Sequence, residues 1–148
     1  MSLSARLLVL LFICILSVGC STAAEQPANL SGIYKSKDGP NQGELLLRKI
    51  KGNEYQFALY ASWTGANPGQ VNIGQANSKI TVTSNKATYK PKDEEESYKL
   101  TFDFSKPKQV KIDCQPPEAF GGQNVNANGL YKQISNVAPD ESEFEPTD

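Results

Sequence analysis

The chain of 148 residues contains no histidine. That removes Ser-His-Asp and Cys-His catalysis and every zinc site that relies on imidazole. Cysteine is nearly as scarce. Cys14 sits in the N-terminal apolar stretch, Cys20 lies just after it, and Cys114 stands alone in the body. One body cysteine cannot build a structural zinc site. A Cys20–Cys114 bridge would need Cys20 to survive unmodified. Long hydrophobic runs are missing too. The longest, Leu7 to Val18, has 12 residues, short of the roughly 20 that a spanning helix needs. Gly65-Ala66-Asn67-Pro68-Gly69 and Gly121-Gly122 are not phosphate loops, because neither leads into Lys-Ser/Thr and a helix. The basic Lys106-Pro107-Lys108 turn with Lys111 is too sparse for a nucleic-acid surface. Asp93-Glu94-Glu95-Glu96 is the densest carboxylate cluster. It lacks the spacing of a calcium loop and reads as a solvated hairpin tip. No metal site and no cofactor is expected.

What is present begins with an export signal. Arg6 supplies a positive start, Leu7 to Val18 the apolar stretch, and Leu16-Ser17-Val18-Gly19-Cys20-Ser21 the exit. Residues 1–19 are read as a signal peptide, with cleavage before Cys20 and a lipid on its thiol. Gly19 suits a lipoprotein site; Ser17 and Val18 depart from its usual form. The alternative is ordinary cleavage after Thr22-Ala23-Ala24, so that 1–24 are lost. Either exit puts the mature chain outside the cytosol: a periplasmic protein held at a membrane through lipid on Cys20, or otherwise soluble in the periplasm or secreted.

Three further segments follow. Residues 20–29 read as a linker after the anchor and 30–135 as one domain. Residues 136–148 read as a disordered acidic tail. From Pro27 to Ser135 there are 14 Lys/Arg against 10 Asp/Glu, whereas the tail holds Asp140, Glu141, Glu143, Glu145, Asp148 and no base. Its large apolar residues are Val137 and Phe144 alone, too few to order it unaided.

The domain alternates throughout. Tyr55, Phe57, Leu59, Ala61 and Trp63 alternate with Gln56, Ala58, Tyr60 and Ser62; Tyr98, Leu100, Phe102 and Phe104 do the same, as do Val110, Ile112 and Cys114. Period two with one buried face means strands. Leu45-Leu46-Leu47 fits strand or helix, and Gly52-Asn53 behind it decides for strand. Turn chemistry recurs at Asp38–Asn41, Asn67–Gly69, Ala76–Ser78, Ser84–Lys86, Pro91–Glu96, Ser105–Pro107 and Gln115–Pro117. The spacing predicts an all-β antiparallel meander of about eight or nine strands, an up-and-down barrel or alternatively a β-sandwich. The first strand, Ser31-Gly32-Ile33-Tyr34-Lys35, is echoed by the last, Asn128-Gly129-Leu130-Tyr131-Lys132. They are expected to pair and so remove the barrel's open edges, each glycine allowing a bend or close approach.

Gly32-Ile33-Tyr34, the aromatic Tyr55-Gln56-Phe57 strand, Ala87-Thr88-Tyr89, Tyr98 to Phe104, Val110 to Cys114 and Gly121-Gly122 before Asn128 together resemble small exported bacterial calycin-like β-barrel proteins. Some of these accompany lysozyme-inhibitor modules of the LprI type. The resemblance implies a lipocalin-like barrel in the envelope. It also implies that Cys114 is the widowed half of a bridge whose other cysteine is replaced here by Tyr98.

The expected function is that of a non-enzymatic envelope lipoprotein binding an apolar ligand or a protein partner, in one version a lysozyme. No catalytic residue is assigned. The ligand or partner candidates are aromatic: Trp63 beside the 64–69 loop, Tyr60 on the opposite face of the same strand, and Phe120 in the long loop after Pro116-Pro117. Core packing competes for Trp63, and capping of the barrel for Phe120. The alternative is a carboxylate-only glycan-active enzyme. It would need two acids about 5 to 9.5 Å apart in one cleft, drawn from Asp103, Asp113 and Glu118.

Overall fold

A computed structural model describes residues 28–67, 69–92 and 98–144. The signal with Cys20, most of the linker, the Asp93–Glu96 cluster and the last four residues lie outside the described residues. Eight strands follow the chain: β1 Gly32–Asp38, β2 Asn41–Lys51, β3 Glu54–Thr64, β4 Val71–Thr81, β5 Lys86–Tyr89, β6 Lys99–Asp103, β7 Gln109–Gln115 and β8 Gly129–Ser135. They form one antiparallel sheet in the order β4-β3-β2-β1-β8-β7-β6-β5. The result is a nearly closed up-and-down barrel rather than a sandwich.

The first and last strands pair as their echo predicts, with Tyr34 opposite Gln133 and Lys35 opposite Lys132. Gly32 makes the close approach. At φ +146 it lies so near β8 that a Cβ there would sit 2.2 Å from the Ser135 carbonyl. The likeness extends to the side chains. Tyr34 Oη donates to the Leu30 carbonyl at 2.7 Å, and Tyr131 Oη donates to the Ala127 carbonyl at 2.9 Å. Each tyrosine thus reaches four residues back to latch the segment leading into its strand. Burial pushes both hydroxyls up to about 12, with nearby Tyr55 adding to the effect on Tyr34.

The inward side chains of the described residues pack into one cluster. Tyr55, Phe57, Phe102, Tyr131, Leu45, Leu47, Leu59, Leu100, Ile112 and Cys114 are all fully buried. Phe57 stands edge-on to both Tyr89 and Phe102, at 5.1 Å in each case, a favoured aromatic geometry. Cys114 is a free, buried thiol, and burial first, then Asp113 and Glu118, raises it to about 11.

Three expectations are corrected. Ala76-Asn77-Ser78 is not a turn but the middle of β4, opposite Leu59, Ala58 and Phe57. The ladder with β3 outweighs the local turn preference of Asn and Ser.

Pairing β1 with β8 does not leave the sheet without edges. Among the described residues no ladder joins β4 to β5, and the seam lies there.

The tail is not disordered over residues 136–144. It folds back over the outside of the sheet through a 3₁₀ turn, Glu141–Phe144. Pro139 is buried, and Phe144 is only 2% exposed, on Leu46 and Ala58. The tail is too poor in apolar residues to build its own core, but the sheet lends it one.

Candidate functional site

The barrel wall explains where each aromatic candidate goes. On β3, Trp63 continues the inward row, half-buried against the interior cluster. Core packing accounts for it. Tyr60, on the other parity, faces outward.

Phe120 is withdrawn altogether. It is 1% exposed and meets Tyr98 edge-on at 5.4 Å. Pro117–Ala119 form a 3₁₀ turn that aims it inward. Gly74 and Gly121 pass so closely that a Cβ on Gly121 would lie 2.4 Å from the Gly74 Cα. The Gly122 N–H donates to the Ile73 carbonyl at 3.1 Å, and Asn72 Nδ2 to the Gln123 carbonyl at 2.7 Å. This loop stoppers the seam and covers part of the β4 edge. Phe120 is therefore a core residue and offers no rim contact to a ligand. Trp63, Tyr60 and Phe120 do not form one site, and Cys20 lies outside the described residues.

Tyr60 alone leads to a surface feature. In register, Ser36, Gly43, Ala61 and Gly74 make one inward row across β1 to β4. These are small, and all four help line a depression in the wall. A groove of about 290 Å³ opens there, bordered by Lys35, Gln42, Glu44, Tyr60, Ser62, Ile73 and Gln75. Ile73 is 66% exposed on its rim. Lys35 Nζ lies 2.7 Å from Glu44 Oε2 across the β1–β2 pair. Both are solvated, so the pair contributes little to stability. A second cleft of about 270 Å³ lies beside the seam, between Ile73, Gln75, Tyr98 and Ala119.

Next to the groove is the apolar platform under the tail. Ile33, Leu46 and Ala58 are register neighbours on the outer face, with Asn77 completing the row. Phe144 packs on Leu46 and Ala58, and Ile33 and Tyr60 flank that cluster. Asn77 Nδ2 donates to the Phe144 carbonyl. Beyond it runs a basic row, Arg48 and Lys79 on either side of Gln56. Arg48 lies 3.7 Å from Glu141.

The sequence did carry a signal for this platform. Leu46 and Ala58 interrupt the alternation of β2 and β3, leaving unbroken apolar runs at Leu45–Leu47 and Phe57–Leu59. An antiparallel sheet with one solvated face has polar residues at such positions; here the two apolar residues are buried under Phe144.

The carboxylates do not converge. Asp103 faces away from the core and accepts hydrogen bonds from the Ser105 N–H and hydroxyl, which hold its carboxyl below the usual range. Asp113 accepts from Gln115 Nε2 at 3.2 Å, and Glu118 is exposed. None of the three lines the groove or the seam cleft. Among the described residues no three His, Cys, Asp or Glu side chains gather as a metal site would require. The chain matches no family model, no curated protein and no solved structure.

Proposed function

We propose that this is a non-enzymatic protein of the bacterial envelope, exported by its N-terminal signal and tethered through lipid on Cys20, which binds a protein partner on the outer face of β1–β4. The observation that carries the reading is the contrast between interior and exterior. Among the described residues the inward side chains pack into one cluster, where a lipocalin-like barrel would hold an apolar ligand. The outer face instead offers an open groove, an exposed isoleucine and a half-buried tyrosine. Aromatic and aliphatic anchors beside polar rims are what protein interfaces use. An envelope lysozyme is one partner to test.

The decisive experiment is site-specific photo-crosslinking in intact cells, with the photoreactive residue at Gln75 in the groove and, as control, at Lys111 on the far side of the barrel. A discrete crosslinked partner from Gln75 and none from Lys111 is expected. Equal, diffuse products from both positions would overturn the reading. Retention and inhibition of lysozyme by the purified chain decide the lysozyme version. Palmitate labelling, abolished by Cys20→Ala, decides the anchor.

A further inference from the structure

The reading of the outer face as a docking surface can be taken one step further, to the chemistry of what docks. We infer that residues 136–144 are a built-in stand-in for the partner. The platform of Ile33, Leu46, Ala58 and Tyr60 takes an aromatic side chain carried on an acidic peptide segment. Phe144 fills that place until such a segment arrives from another protein. The inference rests on the docking reading and names its partner class.

Charge and shape point the same way. The platform is apolar at positions where a solvated sheet face is polar. The row alongside it is basic, with Arg48 and Lys79. The segment seated there offers the complement: Phe144 within Asp140, Glu141 and Glu143, with Glu141 set toward Arg48. A phenylalanine between acids satisfies both halves of the surface.

The segment's attachment is also slight. Among the described residues it joins no strand ladder. Its 3₁₀ turn is closed within itself, the Glu143 N–H donating to the Asp140 carbonyl and the Asp140 N–H to Glu143 Oε1. Its attachment consists of the Phe144 ring, the buried Pro139, one hydrogen bond from Asn77 and one long ion pair whose Glu141 is largely exposed. Release therefore breaks no strand-ladder hydrogen bond, only the one from the Asn77 side chain, and returns the turn to water. What favours the closed form is proximity: a short tether gives the segment an effective concentration in the millimolar range. A partner must exceed that, which suits one that engages more than the platform. Tyr60 borders both the platform and the groove, so a longer segment would continue from the phenylalanine site into the groove.

The test uses a fluorescent peptide with this chain's own sequence from Ala138 to Asp148, added to the full mature chain and to its Phe144→Ala variant. The variant is expected to bind the peptide at least tenfold more tightly than the unaltered chain, since its platform is open. A peptide with alanine for its phenylalanine should lose that binding, and one with amides for its acids should bind several-fold more weakly. Glu141→Lys, which leaves every strand residue in place, should loosen the segment and give an intermediate gain. Equal peptide binding by the unaltered chain and both variants overturns the inference. So does binding indifferent to the peptide's phenylalanine. The crosslink from Gln75 is scored separately, so a lost inference and a lost docking surface give different results.

Discussion

The half of the barrel made by β1–β4 and the half made by β5–β8 use the same alternation to different ends. In the second half the strands are short, from 4 to 7 residues, and β6 and β7 keep the pattern. Phe102, Ile112 and Cys114 point in while Thr101, Asp103, Lys111 and Asp113 point out. Its outer face is polar on β6 and β7, while Leu130 and Ile134 of β8 stand exposed. In the first half three strands run 11 residues each, and the outward row of Ile33, Leu46 and Ala58 is apolar. There the tail lies down and the groove opens. Where alternation fails at Leu46 and Ala58, Phe144 supplies a second layer.

The sharpest way to break this comparison is at the point where the halves touch. Phe57 of the long half contacts Tyr89 and Phe102 of the short half. Phe57→Ala is expected to cost about 3–5 kcal/mol in chemical denaturation. Both halves should be lost in one transition, because they share one interior. Separate transitions would show instead that the halves are independent units.

A smaller effect concerns the strands that join the halves on their paired side. Tyr34 and Tyr131 each hold their proton up to about 12 when folded, against an ordinary value near 10. The folded state therefore binds more protons than the unfolded one between these values, and stability falls as pH rises through that window. The loss should be on the order of 2 kcal/mol for each tyrosine, with full stability below pH 10. Replacing either by phenylalanine should flatten the alkaline limb. A limb unchanged in both variants would mean that the latches do not titrate with unfolding.

The smallest expected effect is on the groove. Lys35→Ala removes the pair with Glu44 and should shift stability by less than about 1 kcal/mol. A larger loss would mean that the groove's rim is structural and that the outer faces of the two halves are alike after all.

Much of the barrel was legible from residue order. Alternation located β3, β6 and β7, and the Gly-aliphatic-Tyr-Lys echo located the pairing of β1 with β8. What resisted reading depended on neighbours distant in sequence. Asn77 reads as a turn residue until β3 is placed beside it. Phe120 reads as a loop aromatic until Gly74 and Gly121 let its loop sink into the seam. The tail was judged on its own composition, although Leu46 and Ala58, some ninety residues earlier, are the residues that give it order. Of the candidate site, only Tyr60 was found in advance. Lys35, Glu44, Ile73 and Gln75 join it through register across four strands, and register cannot be counted from a turn pattern that misplaces one strand.

The position of β1 in the sheet bears on mechanics. Its ladder partners are β2 on one side and β8 on the other, and Tyr34 ties its entry at Leu30. A load applied through the N-terminal end of the chain therefore arrives at a strand clamped on both flanks rather than at a free edge. Drawing that strand out would shear two ladders together, after first breaking the tyrosine latch. A chain that meets tension at its N-terminus is best held by an interior strand, and this barrel begins with one.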